Sequence, residues 1–587
     1  KYFYILGRKR ISLVFLIGLF LTSSFLDLMS IGIISPYISI LISPEKISQE
    51  KLWQDFNSFL GITNINQSIT ILSLIIVVLF ILKGVSAYLI QRKIVRFSMD
   101  TQSELVSKLM NAYQGMPYYF HIKRNSASLI QAITEHITNF SHQTLISSLR
   151  LMSELIVLSL ILIFLSFTNF YATMAVTFVL SAIYLLYDKV VKEKIQIAGK
   201  KAADSNEGII KGVNEGFGGI KEIRIFGREF YFHKRVKNFA MEYAEVSSQY
   251  QALKIVPRYL FEISIVTLTI ISSVIIFNSG SSFVDYLPSL GMFAIAAMRL
   301  IPSSNNISIA VASMRFSVFS MNRLYKDLNE VHQMSLKSKI FEKNDLHKTG
   351  KIKSSFSAIE LNNISFRYPG SDYNSISDLS LTIQRGQSVG LIGQSGSGKT
   401  TLINIILGLF TPIEGEITID KIPINRNMRD WMNLIAYIPQ EIFIIDDTIK
   451  KNIAFGINDK EIDHQKLMQS ISIAQLEKMI SELPNDIDSN VGENGLMLSG
   501  GERQRIALAR SFYNDREIII MDEATAALDN ETERQLVEAI NKFKEGKTMI
   551  IIAHRLSSVK DCDIVYKLDN GRIIDSGTLE TLKNNSK

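Results

Sequence analysis

Residues 498–502 read Leu498-Ser499-Gly500-Gly501-Glu502 and lead into a helix-like stretch, Gly501 to Ser511. A serine and two glycines at a helix start offer a hydroxyl and free backbone N–H groups to an anion. Downstream, the wholly apolar run Ile518 to Met521 ends in two acids, Asp522-Glu523. A strand apolar on both faces belongs in a parallel sheet covered by helices. Upstream stands Gly393-Gln394-Ser395-Gly396-Ser397-Gly398-Lys399-Thr400, between strand-like Ser388 to Ile392 and helix-like Thr400 to Leu409. Strand, glycine loop and helix in that order make a phosphate cradle. Gly393, Gly396 and Gly398 let the backbone curl so that its N–H groups face phosphate, and the helix adds its dipole. Ser395, Ser397 and Thr401 complete the phosphate-binding stretch. Lys399 would reach the β- and γ-phosphates of ATP, and Thr400 would hold Mg²⁺ through its hydroxyl. Asp522, ending a strand, would hold Mg²⁺ directly or through water, and Glu523 would act as general base on the attacking water.

The remainder of the chain has a different composition. Of 587 residues, 47% are hydrophobic, and the apolar runs crowd into residues 1–320. Residues 357–587 read as a soluble α/β domain, and the polar, Lys-rich 329–356 as a linker from a membrane domain spanning 1–328. The net charge of +7 raises the question of nucleic acid. The positive charge sits mostly beside the apolar runs, which points to a membrane instead and leaves no nucleic-acid partner beyond ATP. The one cysteine, Cys562, excludes an internal disulfide framework.

A spanning helix needs ~20 mostly apolar residues. Six candidates meet that: 11–35, 68–91, 145–167, 170–188, 259–278 and 287–314. No cleavable leader is expected, because the first run is itself long enough to span and others follow. Lys and Arg cluster at the N-terminus and in the segments after spans two and four, while 44–67, 168–169 and 279–286 are poor in them. The positive-inside rule then places the N-terminus, both long basic segments and the C-terminal domain in the cytoplasm. The basic segments keep apolar residues at helical spacing, such as Leu105, Leu109, Tyr113 and Ile209, Val213, Phe217. They read as extensions of the spanning helices that reverse near Met116–Arg124 and Gly219–Glu229.

Together these motifs resemble a half-transporter of the ABC exporter class: an α-helical six-span domain followed by an α/β P-loop ATPase domain. The resemblance covers essentially the whole chain. It implies that Leu498–Glu502 is the signature that closes over ATP held by another copy, hence a homodimer in which Ser499, Gly500 and Gly501 meet the γ-phosphate. It also implies roles for Asp529 as the D-loop aspartate, His554 as the switch histidine, Gln440 as the Q-loop glutamine sensing Mg²⁺, and Tyr368 as the aromatic on adenine. Val491-Gly492-Glu493-Asn494-Gly495 resembles the loop that touches the coupling helices. The family usually has Gln where this chain has Glu502.

Ionisable residues inside spans are costly and commonly functional. Lys83, Arg258 and Arg299 would line an electropositive cavity suited to a phosphate or pyrophosphate headgroup. Alternatively, Lys83 and Arg258 snorkel, or Arg299 pairs with Glu262 or Glu154. Leu52, Trp53, Phe56, Phe59 and Leu60 would form an amphipathic outer helix able to engage a lipid tail. With Val256-Pro257-Arg258 and Arg299-Leu300-Ile301-Pro302-Ser303, these features resemble bacterial flippases of polyprenyl-diphosphate-linked oligosaccharides. Members tend to have another arginine where Asn305 and Asn306 stand. The resemblance implies a lipid-linked anionic substrate in the bacterial cytoplasmic membrane. Exporters of peptides, drugs or another lipid, such as a lipid A precursor, are the alternative.

Overall fold

The computed structural model describes residues 1–33, 37–38, 40–41, 58, 65–278, 283–337, 356–522, 546–553 and 556–585. The chain divides into two compact units, Lys1–Met116 with His121–Leu336 and Pro117–Phe120 with Lys337–Lys587.

The first unit is built of helices: α1 (Arg10–Gly32), α2 (Ile65–Gln114), α3 (Ile146–Thr168), α4 (Phe170–Gly218), α5 (Glu229–Asn278), α6 (Phe283–Phe316) and α7 (Val318–Lys337). Among the described residues, four stretches are long and apolar enough to cross a membrane: Arg10–Ser30, Asn66–Gln114, Ser126–Phe167 and Phe170–Gly218. The other two expected spans, 259–278 and 287–314, lie within α5 and α6. The outer aromatic residues Leu52, Trp53, Phe56, Phe59 and Leu60 lie outside the described residues.

α2, α4 and α5 contain 50, 49 and 50 residues. At ~1.5 Å per residue each is ~75 Å long, more than twice the ~30 Å of a bilayer core. The basic segments are therefore continuations of apolar helices, with reversals where glycine ends the run. α4 stops at Gly218, capped by Gly219, and a short helix, Ile220–Ile225, precedes α5. At its start, the Asn169 side chain accepts from the Ala172 N–H at 3.0 Å, a normal N-cap. α4 crosses α6 so closely that a Cβ at Gly199 would overlap the Phe316 carbonyl. Upstream of α3, two π-helical turns, Ala132–His136 and Phe140–Leu145, interrupt the helix; such turns commonly mark functional sites.

The reversal after α2 is pinned to α7. Asp327 accepts from the Tyr113 hydroxyl and from Arg124 Nη2, both at 2.9 Å, and Glu330 accepts from the same nitrogen at 3.0 Å. Asp327 and Tyr113 are buried, so the carboxylate depends on these donors. Burial and the neighbouring Asp327 charge push the Tyr113 phenol up, which keeps it a donor. Asp327→Asn, with Glu330 left on Arg124, is expected to cost about 2 kcal/mol, read as a lower thermal midpoint of the purified protein. An unchanged midpoint would show that this knot contributes nothing.

The expected linker differs in one respect. Residues through Lys337 are helical, because Leu324 and Leu328 keep an apolar face that is buried. Residues 338–355 lie outside the described residues.

The second unit has two sheets. β1 (Ala358–Phe366), β2 (Ile376–Gln384), β4 (Glu414–Ile419) and β5 (Ile422–Pro423) form an antiparallel sheet in the order β2-β1-β4-β5. The other has the order β10-β9-β3-β8-β7-β6, with β3 (Ser388–Ile392), β6 (Ile435–Ile438), β7 (Ile518–Asp522), β8 (Thr548–Ile552), β9 (Ile564–Asp569) and β10 (Arg572–Gly577). All its pairings are parallel except β9 with β10. β7 is buried along its length, as its unbroken apolar run requires.

Candidate functional site

The parallel strands bring the chemistry to one edge. β3, β8, β7 and β6 are consecutive neighbours, and Leu391 pairs with Ile552, Asp522 with Ile552 and Ile438 with Met521. The carboxyl ends of parallel strands are where open α/β sheets bind ligands. The glycine loop leaves β3 there, Asp522 ends β7, and Gln440 lies two residues beyond β6.

The glycine loop leads into α8 (Lys399–Ile406). Gly398 caps it at φ 101° and Gly396 lies at φ 82°, conformations that cost an L-residue but not glycine. A Cβ on Gly398 would also press on the Ser375 carbonyl at 2.8 Å. Lys399 is buried, and its Nζ donates to the Gly393 and Gln394 carbonyls at 2.8 and 2.9 Å. The ammonium is thus held inside the curl of its own loop. Ser395, Gly396 and Thr400 are exposed, Ser397 and Thr401 buried.

Tyr368 packs edge-on against Phe366 and Phe410, and its hydroxyl lies 3.1 Å from Thr401 Oγ1. That bond puts the ring beside the start of α8, where a base over the phosphate cradle would need a wall. Asp522 is buried, and the Tyr437 hydroxyl donates to it at 3.4 Å. Burial first, then the Asp522 charge, push the Tyr437 phenol up. A hydroxyl (Thr400), a carboxylate (Asp522) and an exposed amide (Gln440) are hard oxygen donors of the kind Mg²⁺ takes beside phosphates. Glu523, Asp529 and His554 lie outside the described residues.

Ser499 caps α9 (Gly500–Asn514). Its Oγ accepts from the Glu502 N–H at 3.3 Å, and the Glu502 carboxylate accepts from the Ser499 N–H at 2.7 Å. This reciprocal box explains how Glu serves where Gln is usual: both reach back to the cap N–H. In the preceding loop Asn494 and Gly495 adopt positive φ.

In the first unit, Lys83 and Arg299 converge on one carboxylate. Asp27 of α1 receives Lys83 Nζ of α2 on Oδ1 at 2.9 Å and Arg299 Nη2 of α6 on Oδ2 at 3.0 Å. Glu154 of α3 lies 4.0 Å from Arg299 and accepts from Ser303 and Asn306, each at 2.8 Å. Two cations therefore face two carboxylates, and the expected surplus of positive charge is offset within the chain. Arg258 is not part of this group: it is exposed and bonds Glu262 one turn along α5 at 2.8 Å. The signal for Asp27 was present in the sequence. A lone acid within Phe25-Leu26-Asp27-Leu28 needs a buried counter-charge.

Two family models match the chain: the ABC transporter model over residues 376–526, and the ABC transporter transmembrane region model over 13–301. The chain belongs to the ABC transporter family. This ABC exporter is similar to the "ATP-dependent lipid A-core flippase" of Bordetella avium (strain 197N), 32% identical over 401 residues, 65% of this chain and 63% of that protein. The protein of the same description from Cupriavidus pinatubonensis is 28% identical over 508 residues, covering 85% and 82%. In fold, the exporter matches the "Structure of a bacterial Atm1-family ABC exporter with ATP bound" with a TM-score of 0.77 at 20% identity, over 99% of this chain and 97% of that one. An ABC exporter with membrane and ATP-binding domains in one chain couples ATP hydrolysis to transport.

Proposed function

We propose that two copies of this exporter flip a phosphorylated glycolipid out of the cytoplasmic leaflet of a bacterial cytoplasmic membrane. The observation that carries the reading is the convergence of Lys83 and Arg299 inside apolar helices, since cations there need a purpose. Lipid A-core and polyprenyl-diphosphate oligosaccharides both join phosphate, saccharide and lipid tails in one molecule. The relatives' descriptions favour the lipid A-core type over the polyprenyl type expected from sequence. The six spans would leave the N-terminus and the ATPase domain in the cytoplasm.

ATP would lie on the glycine loop with its base against Tyr368. Thr400, Asp522 and Gln440 would hold Mg²⁺, which neutralises phosphate charge when bound. Ser499 and the 500–501 amides of one copy would close over the γ-phosphate on the other, with Asp529 at their interface. Glu523 would take the proton of the attacking water, and His554 would contact the γ-phosphate.

The test is reconstitution in proteoliposomes with lipid A-core, a polyprenyl-diphosphate glycan, plain phospholipids and a hydrophobic drug. Lipid A-core is expected to be flipped and to stimulate ATPase activity. Arg299→Ala should lower flipping about tenfold, the loss of one charge-assisted contact, and basal ATPase activity less. Undiminished flipping by that variant would remove Arg299 from the headgroup site.

A further inference from the structure

We propose that Asp27 is an internal substitute for the substrate's phosphate, which the headgroup must displace to bind. This rests on reading Lys83 and Arg299 as headgroup cations. The Asp27 carboxylate spans the two cations with one oxygen on each, 2.9 Å from Lys83 and 3.0 Å from Arg299. Adjacent oxygens of a phosphate monoester can bridge cations in the same way. The carboxylate leaves one donor over: among the described residues, the buried Nε of Arg299 has no hydrogen-bond partner. Nε and Nη2 form one edge of the guanidinium fork, and a planar fork is matched by two oxygens. Asp27 has only one oxygen for that edge, because Lys83 holds the other. A phosphate, with three oxygens, can take Lys83, Nη2 and Nε together.

The exchange has a direction built into it. Asp27 is carried by α1, whereas its partners sit on α2 and α6. Glu154 is held by Ser303 and Asn306 and can stay as the remaining counter-charge. Displacing Asp27 therefore unties α1 from α2 and α6 while their cations remain compensated. A singly charged carboxylate ligand gains nothing over Asp27, which is already tethered in place, whereas a doubly charged phosphate does. Asp27 thus selects for phosphate headgroups and keeps the helices tied until one arrives.

The full-length protein in non-ionic detergent is titrated with dioleoyl phosphatidic acid, oleic acid and inorganic phosphate. Asp27→Asn is expected to bind phosphatidic acid at least tenfold more tightly than wild type, with a smaller gain for oleic acid. Adding Lys83→Met to Asp27→Asn should abolish the gain. Asp27→Ser, expected to shift the same way, stands in if Asp27→Asn does not give monodisperse protein. A gain with phosphatidic acid but not with inorganic phosphate assigns the exchange to a lipid headgroup, and a gain with both assigns it to the oxyanion alone. Equal or weaker binding by the folded Asp27 variants overturns the proposal and makes the cluster a structural tie. If the gain appears but phosphorylated lipids are not flipped in vesicles, the flippase reading fails and the exchange stands. If they are flipped and the variants bind no tighter, the exchange fails and the flippase reading stands.

Discussion

Glu523→Gln should lower ATP turnover about 10²–10⁴-fold, the range for losing a general base, while ATP still binds. Glutamine keeps the size and hydrogen-bonding reach of the side chain but cannot take a proton from water. The groups proposed to hold nucleotide and Mg²⁺ are other side chains and are left intact: the glycine loop after β3, Tyr368 beside α8, and Asp522 at the buried end of β7. Retained binding with lost turnover separates catalysis from capture. Phosphate release and nucleotide retention, measured on the same preparation, decide it. Turnover near wild type would move the base to another residue.

Lys399→Ala should fail one step earlier, with ATP no longer captured. The ammonium serves the Gly393 and Gln394 carbonyls at 2.8 and 2.9 Å, so its removal takes a donor from the curl of the loop as well as a charge from the phosphates. Charge-assisted hydrogen bonds contribute about 1.5–3 kcal/mol each. Losing two weakens binding by roughly 10²–10⁴-fold. Lys399→Arg is expected to fare little better, because a planar fork does not fit where a compact ammonium sits inside a loop. Titration with a fluorescent ATP analogue tests both. The contrast with Glu523→Gln is the sharper reading: one variant holds ATP without cleaving it, the other scarcely holds it. ATP affinity within threefold of wild type for Lys399→Ala would mean that the loop binds phosphate by its backbone alone.

The α/β half was legible because its signals are local. A short, Ile-rich apolar run such as Ile518–Met521 reads as a buried strand, and glycines at positions 396 and 398 announce a loop that needs positive φ, which both adopt. The long helices were legible too, since apolar spacing continued past the charged stretch after span two. The end of α7 was not. Residues 329–337 look like linker by composition, and what holds them helical is contact made elsewhere in the fold: the buried Leu324 and Leu328 just upstream, and Glu330 on Arg124. The charge cluster was half legible. Cations in apolar runs drew attention to Lys83 and Arg299, but their shared partner is far away in sequence, and such pairing is a property of packing that periodicity does not carry. For the nucleotide site, spacing supplied the residue types, and strand order supplied the neighbourhood of β3, β8, β7 and β6.

The lengths of α2, α4 and α5 have a mechanical consequence. If ~30 Å of each ~75 Å rod lies in the bilayer core, ~45 Å protrudes. A rod pivoting ~10° at the membrane midplane would sweep its far tip through ~10 Å, while a group near the pivot hardly shifts. Such a rod trades distance for force. A modest push at the remote reversal is multiplied near the fulcrum, where prying apart a salt-bridged cluster takes much force over very little travel.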